Sequence, residues 1–170
     1  VIVPGSKNVM EDLLYLRQTG LDRKIIDLAT RGKTEVIGIC GGFQMLGSFM
    51  EDPHGIENQG ESSSRKGLGF LPVRTVLHAE KTVRRVQGCL RSEFLGLSPR
   101  PETRFQGYEI HVGETFYEPG SRPVADIVRQ GIPGSVPDGA VSASGRVLGT
   151  YVHGFFDNDD FRHAFLAAAR

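Results

Sequence analysis

The chain has 170 residues, enough for one domain with a substantial core. Twenty Lys plus Arg balance twenty Asp plus Glu, and a net charge of zero points to neither nucleic acid nor an acidic membrane as partner. Two cysteines, Cys40 and Cys89, are too few for a disulfide framework and belong to no Cys-x-x-Cys pair or cysteine/histidine cluster, so no metal is expected, and a reducing cytoplasm is the expected compartment. No signal peptide is visible, and no run approaches the roughly 20 apolar residues of a spanning helix.

The chain opens on Val1–Val3, three apolar β-formers ended by Pro4-Gly5, which reads as a buried strand reaching its end. A start in mid-strand without methionine predicts a piece of a longer protein. "SKNVMEDLLYLRQTG" predicts an amphipathic helix stopping near Gly20, and "LDRKIIDLATRG" a second with Gly32 at its C-terminal stop. "EVIGIC" has the length and apolarity of a strand. "GGFQMLGSFM" then takes helical spacing, with Phe43, Leu46 and Met50 on one side. This strand–helix–strand–helix order predicts parallel strands with helical crossovers.

Beyond Met50, "EDPHGIENQGESSSRKG" has almost no apolar content and reads as an exposed loop. "GFLPVRTVLH", "KTVRRVQG", "TRFQGYEIHVGETFY" and "VADIVRQ" read as short strands. "GAVSASGRVLGTYVHG" predicts a hairpin turning at Ser144-Gly145. The chain ends in a predicted helix, "NDDFRHAFLAAAR", with Asn158 at its N-cap position. There is no internal repeat and no linker, so residues 1–170 read as one domain.

Gly38-Ile39-Cys40-Gly41-Gly42 has the spacing of a strand-to-helix nucleophile elbow. The nucleophile occupies a strained bend, and side chains two residues either side would collide, hence the glycines. A helix N-terminus below the sulfur favours thiolate, and the Gly41 N–H is placed for a developing oxyanion. The plain alternative is a structural cysteine in a glycine-rich turn.

A thiolate nucleophile wants a histidine. His54 lies in the polar loop, His163 in the last helix, and His78 ends a strand without special neighbours. His153 ends the apolar run "VLGTYV" and precedes a glycine, the setting in which parallel-sheet enzymes expose catalytic side chains. In "GYEIHVG", alternation puts Glu109 and His111 on one strand face, as a salt bridge or as part of a site. "PGSK" is not a phosphate loop, but Pro4-Gly5-Ser6 at a helix start can offer backbone N–H groups to an anion. Cys89 lacks an elbow and reads as structural or surface.

Pro4-Gly5-Ser6, the run Gly38 to Gln44 and the late His153 resemble the triad family of class I glutamine amidotransferases, with its oxyanion loop, G-x-C-x-G-x-Q elbow and histidine. "PGSKN", "GICGGFQMLG", "EDPHGIE", "EKTV", "GYEIHVGET" and "GTYVHGFFDN" together resemble the C-terminal domain of the cobyric acid synthase family, and the likeness covers nearly the whole chain. The resemblance implies an α/β, flavodoxin-like fold, a mostly parallel sheet with flanking helices, lacking its N-terminal strands.

It also implies roles. Cys40 attacks the side-chain amide of glutamine, Gly41 and the Gly5-Ser6 loop hold the oxyanion, and His153 moves the protons. Gln44 and His111 contact the substrate. Ammonia would pass to an absent synthetase domain that uses ATP and magnesium to amidate a corrinoid, adenosylcobyrinic acid a,c-diamide. No cofactor is expected on this chain itself. Most class I members follow the histidine with Pro-Glu; here Gly154-Phe155 follow, so the acid partner of His153 is Glu109, Asp157 or none, with Glu109 preferred. Two neighbouring types, the glutaminase partner of lipid II amidotransferase and cobyrinic acid a,c-diamide synthase, are alternatives that "GYEIH" argues against. An inactive domain that keeps the elbow is the alternative of a different class.

Overall fold

A computed structural model of the chain describes residues 1–32, 34–94, 96–98 and 104–168. Ile2–Val3 (β1) leads through Pro4-Gly5 into two helices, Val9–Thr19 (α1) and Leu21–Thr30 (α2). Asn8 caps α1, its side-chain oxygen accepting from the Glu11 N–H at 3.1 Å. Gly20 ends α1 in the left-handed conformation that a glycine adopts without strain. Val36–Ile39 (β2) follows and pairs parallel with β1.

The next helix is shorter than its spacing suggests. It covers Gly41–Leu46 (α3), and Phe49–Asp52 is a strand (β3), so Met50 sits in a sheet rather than on a helix. Gly47, with extended backbone, ends α3, and Ser48 then bonds the Val73 carbonyl, drawing the chain into a sheet. The polar segment is also more structured than a loop. Ser63–Lys66 (β4) pairs antiparallel with β3, and the stretch between them is a series of hydrogen-bonded turns. Asp52 is buried there because its carboxylate accepts from the Ile56 and Glu57 N–H groups at 2.7 and 2.9 Å.

The strand segments after Phe70 fuse. Val73–Leu90 (β5) is one strand of 18 residues with a register shift between Val76 and Lys81, and Arg104–Tyr117 (β6) pairs along it antiparallel. Ala125–Arg129 (β7) pairs with the far half of β5, and Val136–Asp138 (β8) pairs with β7. Ala140–Val141 (β9) and Val147–Thr150 (β10) form the hairpin expected to turn at Ser144-Gly145. Val152–His153 (β11), a 3-10 turn at Phe155–Asp157 and Asp159–Ala168 (α4) complete the chain. Asn158 precedes α4, but its side chain bonds β6 instead of capping: Oδ1 accepts from the Gln106 N–H and Nδ2 donates to the Gln106 carbonyl, both at 3.0 Å.

Two sheets result. One has the order β1-β2-β10-β9, parallel except for β9. The other, built on β5 and β6, is mainly antiparallel. The expected α/β architecture with parallel strands and flanking helices is therefore concentrated in the first sheet. Successive residues of its strands face opposite cores. Val36 and Val147 pack with Met10, Leu13, Phe43 and Leu46, while Ile37 and Leu148 pack with Phe105, Ile127, Phe155 and Phe161.

Candidate active site

β2 and β10 lie side by side, parallel, with Gly149 opposite Gly38 and Thr150 opposite Ile39. Their C-terminal ends deliver Cys40 and, three residues beyond Thr150, His153. Both side chains border Gly5: a Cβ built on Gly5 would lie 3.5 Å from the Cys40 Cβ and 3.8 Å from His153 Cε1. Three segments far apart in sequence thus meet at one point.

The bend at Cys40 is strained, with φ of 55° in a residue that is not glycine. Its neighbours explain the glycines. A Cβ on Gly38 would lie 2.6 Å from Leu46 Cδ1, and one on Gly42 would overlap the Val3 carbonyl oxygen. A Cβ on Gly41 would lie 2.9 Å from the Ser6 backbone nitrogen, so the Pro4-Gly5-Ser6 loop packs directly on the start of α3. The Ser6 hydroxyl accepts from the Asn8 N–H at 2.9 Å.

The ionisation of Cys40 runs against the simple helix-terminus argument. Burial pushes its thiol above the ordinary value; the Gly41 N–H and the Lys81 ammonium pull it down by less, and Glu57 adds a further upward push. A helix of six residues is short for a strong terminal field. The protonated thiol is therefore favoured in the free site, and deprotonation requires a base. His153 Nε2 is buried with no hydrogen-bond partner among the described residues, a polar atom left open toward chemistry.

Cys40 and His153 open on a cavity of about 640 Å³ that Gly5, Ser6, Gln44 and His111 also line. Gln44 is buried, and both its N–H bonds are used internally, to the Val112 carbonyl at 3.0 Å and the Tyr151 hydroxyl at 3.2 Å. Its amide oxygen is the atom left for a ligand. His111 stacks on Tyr151 with ring centroids 4.1 Å apart. Its Nδ1 faces the Gly113 carbonyl at 2.9 Å and its Nε2 faces Glu109 at 3.3 Å.

The expectation that Glu109 supports His153 meets a different set of partners. The Glu109 carboxylate is buried and bidentate with Arg129, 2.6 Å to each of Nε and Nη2, besides its contact with His111. Glu109 does not line the cavity, although Val152–Glu109 and His153–Tyr108 are opposite pairs in the sheet. The pleat explains this: a strand alternates faces, so adjacency in register does not bring the two side chains together. Asp157 lies by Gly154 and borders a separate surface hollow with Arg85 and Tyr108.

Residue-by-residue reading did not single out Lys7, Ile56, Glu57 and Lys81, which also line the cavity. Glu57 reaches it because its carboxylate accepts from the Met10 N–H at 3.0 Å at the start of α1. Lys81 reaches it at the register shift of β5. Both stand in segments that carry the family resemblance, "EDPHGIE" and "EKTV", and that was the available signal. Among the described residues no group of three or more His, Cys, Asp or Glu side chains is placed to hold a metal, and no helix is long and apolar enough to cross a membrane.

The fold is shared with solved amidotransferases. A crystal structure of a glutamine amidotransferase is 19% identical, covers 99% of this chain and 77% of its own, and superposes with a TM-score of 0.57. PurLQS from Thermotoga maritima is 17% identical over 88% of this chain and 68% of its own, with a TM-score of 0.61. These likenesses show a shared fold. Residues 1–161 match the model of the CobB/CobQ-like glutamine amidotransferase domain, and the chain belongs to that family. Cobyric acid synthases from Geobacillus thermodenitrificans and Moorella thermoacetica are each 44% identical across the whole chain. The chain spans only 31% and 32% of those two relatives.

Proposed function

We propose that this chain is the glutamine-hydrolysing domain of a cobyric acid synthase. The observation that carries the reading is the meeting of the Cys40 elbow, His153 and the Gly5-Ser6 loop around one cavity. Relatives named cobyric acid synthase, matched over the full length of the chain, support this member of the family over the lipid II and a,c-diamide types. The intact constellation argues against an inactive domain.

His153 takes the Cys40 proton as the sulfur attacks the amide carbon of glutamine. Because burial favours the thiol, this transfer belongs to the substrate-bound state. The Gly41 N–H and the N–H groups of the Gly5-Ser6 loop stabilise the oxyanion. Collapse breaks the C–N bond, His153 returns its proton to the leaving nitrogen, and ammonia departs. Water, deprotonated by His153, then opens the γ-glutamyl thioester to glutamate and restores the thiol.

The amide oxygen of Gln44 and the ring of His111 help hold the substrate. Glu57 on one hand and Lys7 and Lys81 on the other give the cavity both signs of charge, matching the ammonium and carboxylate of an amino acid. Glu109, fixed by Arg129, acts on this wall by holding His111. The longer polypeptide would use the ammonia, with ATP and magnesium bound outside this chain, to amidate a corrinoid in the cytoplasm, where Cys40 stays reduced.

Cys40→Ser in the full-length polypeptide should abolish glutamine hydrolysis while ammonia-dependent amidation persists. Retained glutamine hydrolysis would assign the chemistry to another nucleophile.

A further inference from the structure

Asp138 is a carboxylate buried to 3% exposure, without an ion-pair partner among the described residues, and it does not line the cavity. Burial pushes its carboxyl up to about 6, opposed by hydrogen bonds from Thr150 and the Tyr151 N–H. A buried carboxylate with no cation is costly, so its partners identify what it does.

Those partners sit at one place in the chain. Thr150 Oγ1 donates to Asp138 Oδ2 at 2.5 Å, and the Tyr151 N–H donates to Asp138 Oδ1 at 3.2 Å. Thr150 Oγ1 also accepts from the Val152 N–H at 3.0 Å. The Thr150 carbonyl accepts from the Cys40 N–H at 2.9 Å. Residues 150–152 are where the chain leaves the parallel sheet at the end of β10 and joins the antiparallel sheet as β11. At this crossing each sheet holds one carbonyl, that of Thr150 through the Cys40 N–H and that of Tyr151 through the Ile110 N–H at 3.2 Å. The N–H groups of Tyr151 and Val152 are held by side chains, those of Asp138, anchored in β8 opposite Ala125, and Thr150.

We infer that Asp138 and Thr150 form a positioning clip that fixes the β10–β11 crossing, and so sets His153 against Cys40 for glutamine hydrolysis. Neither residue touches the substrate. The Thr150 carbonyl holds the cysteine's backbone N–H, and the two side chains hold the N–H groups of Tyr151 and Val152 ahead of the histidine. Loosening the clip displaces the imidazole from the sulfur; Tyr151 meets the substrate-binding Gln44 and His111 through its side chain, not through the backbone N–H that the clip holds. The inference rests on Cys40 and His153 being the hydrolytic pair.

The test uses the full-length polypeptide, with active sites counted by mass spectrometry of the Cys40-containing peptide after alkylation with iodoacetamide, which separates it from the exposed Cys89. Thr150→Val keeps the shape and removes the hydroxyl; Thr150→Ser keeps the hydroxyl. Per titrated site, Thr150→Val should lower kcat for glutamine hydrolysis by about 10-fold or more and leave KM within about 2-fold, since small misplacements of reacting groups carry losses of this order. Thr150→Ser should stay close to wild type. A wild-type kcat in Thr150→Val, or equal losses in the valine and serine variants, overturns the clip. Asp138→Asn, which keeps the acceptor for Tyr151 but not the charge, covers the case in which Thr150→Val does not fold. It should show a lowered kcat at unchanged KM, and an unaltered kcat overturns the proposal. Cys40→Ser is run alongside. Glutamine hydrolysis surviving in that variant removes the hydrolytic reading itself, whereas an inactive Cys40→Ser beside a fully active Thr150→Val removes only the clip.

Discussion

Glu109 and Asp138 are buried carboxyl groups moved in opposite directions. Burial pushes Glu109 up, but hydrogen bonds from Arg129 and His111 outweigh it and hold the group at about 2, against an ordinary value of 4.5. A carboxyl with a depressed folded value stabilises the fold above its unfolded value, and that contribution is lost as pH falls through the folded one. Glu109→Gln should therefore cost about 3 kcal/mol at neutral pH, by breaking a buried pair. The difference from wild type should shrink as pH falls from about 4.5 toward 2. Urea unfolding at a series of pH values measures this, and a difference independent of pH would mean the ion pair contributes nothing. Asp138 has the other sign. With its folded value raised to about 6 from 3.8, it lowers stability progressively as pH rises through that window. Asp138→Asn should remove that decline. The same Glu109→Gln variant separates roles kinetically: a residue that holds His111 at the substrate wall should mainly raise KM, whereas an acid orienting His153 should lower kcat.

At the scale of elements, the short helices and strands near the site are held by side chains rather than by their own length. α3 has six residues, too few to be stable alone, and survives because Phe43, Leu46 and Gln44 are buried between β2, β10 and β6. Gly149 serves the same contact: a Cβ there would overlap the Phe43 ring. β11 has two residues and continues into a 3-10 turn that Asn158 ties down. Asn158 Nδ2 reaches the Gly154 and Phe155 carbonyls at 3.1 and 3.2 Å, besides its two bonds to Gln106. Asn158→Ala should destabilise the protein by about 1–2 kcal/mol, the worth of a few partly exposed bonds. The Gln106 amide should exchange with deuterium faster in that variant. Unchanged exchange at Gln106 would show that the sheet alone holds this edge.

Across the whole molecule, the parallel sheet separates two cores and both depend on it. Val36 and Val147 belong to the core under α1 and α3, Ile37 and Leu148 to the core under the far half of β5 and α4. β5 also enters both, through Val73 before its register shift and Leu77 within it, and through Val86 and Leu90 after it. Neither core can lose its packing while the other keeps its strands. The chain should therefore unfold as one cooperative unit. Far-ultraviolet circular dichroism and tyrosine fluorescence, which here includes the buried Tyr151, should give coincident urea transitions. Two separated midpoints would mean that the cores are independent.

Sequence by itself determined the local devices of this protein. The glycines around Cys40, the strand ahead of each site segment, the stops at Gly20 and Gly32 and the turn at Ser144-Gly145 follow from backbone sterics and apolar spacing, which act within a few residues. Gly5, Cys40, His111 and His153 were singled out for the same reason, since each stands at an element's end or within a short motif, whereas Gln44 was singled out by the family resemblance of the elbow. Tertiary structure alone decided what depends on pairing between distant segments. Helical spacing at Phe43, Leu46 and Met50 cannot reveal that Ser48 bonds Val73 and turns the next residues into a strand. Alternation in "GYEIH" put Glu109 and His111 on one face, but not the Arg129 fork that claims Glu109 from another strand. Glu57, Lys81 and Asp138 carry no local signature, because their roles come from the register shift of β5, the start of α1 and the crossing after β10. Those are long-range contacts, and a side chain's partner across a fold is set by packing, not by its neighbours in the chain.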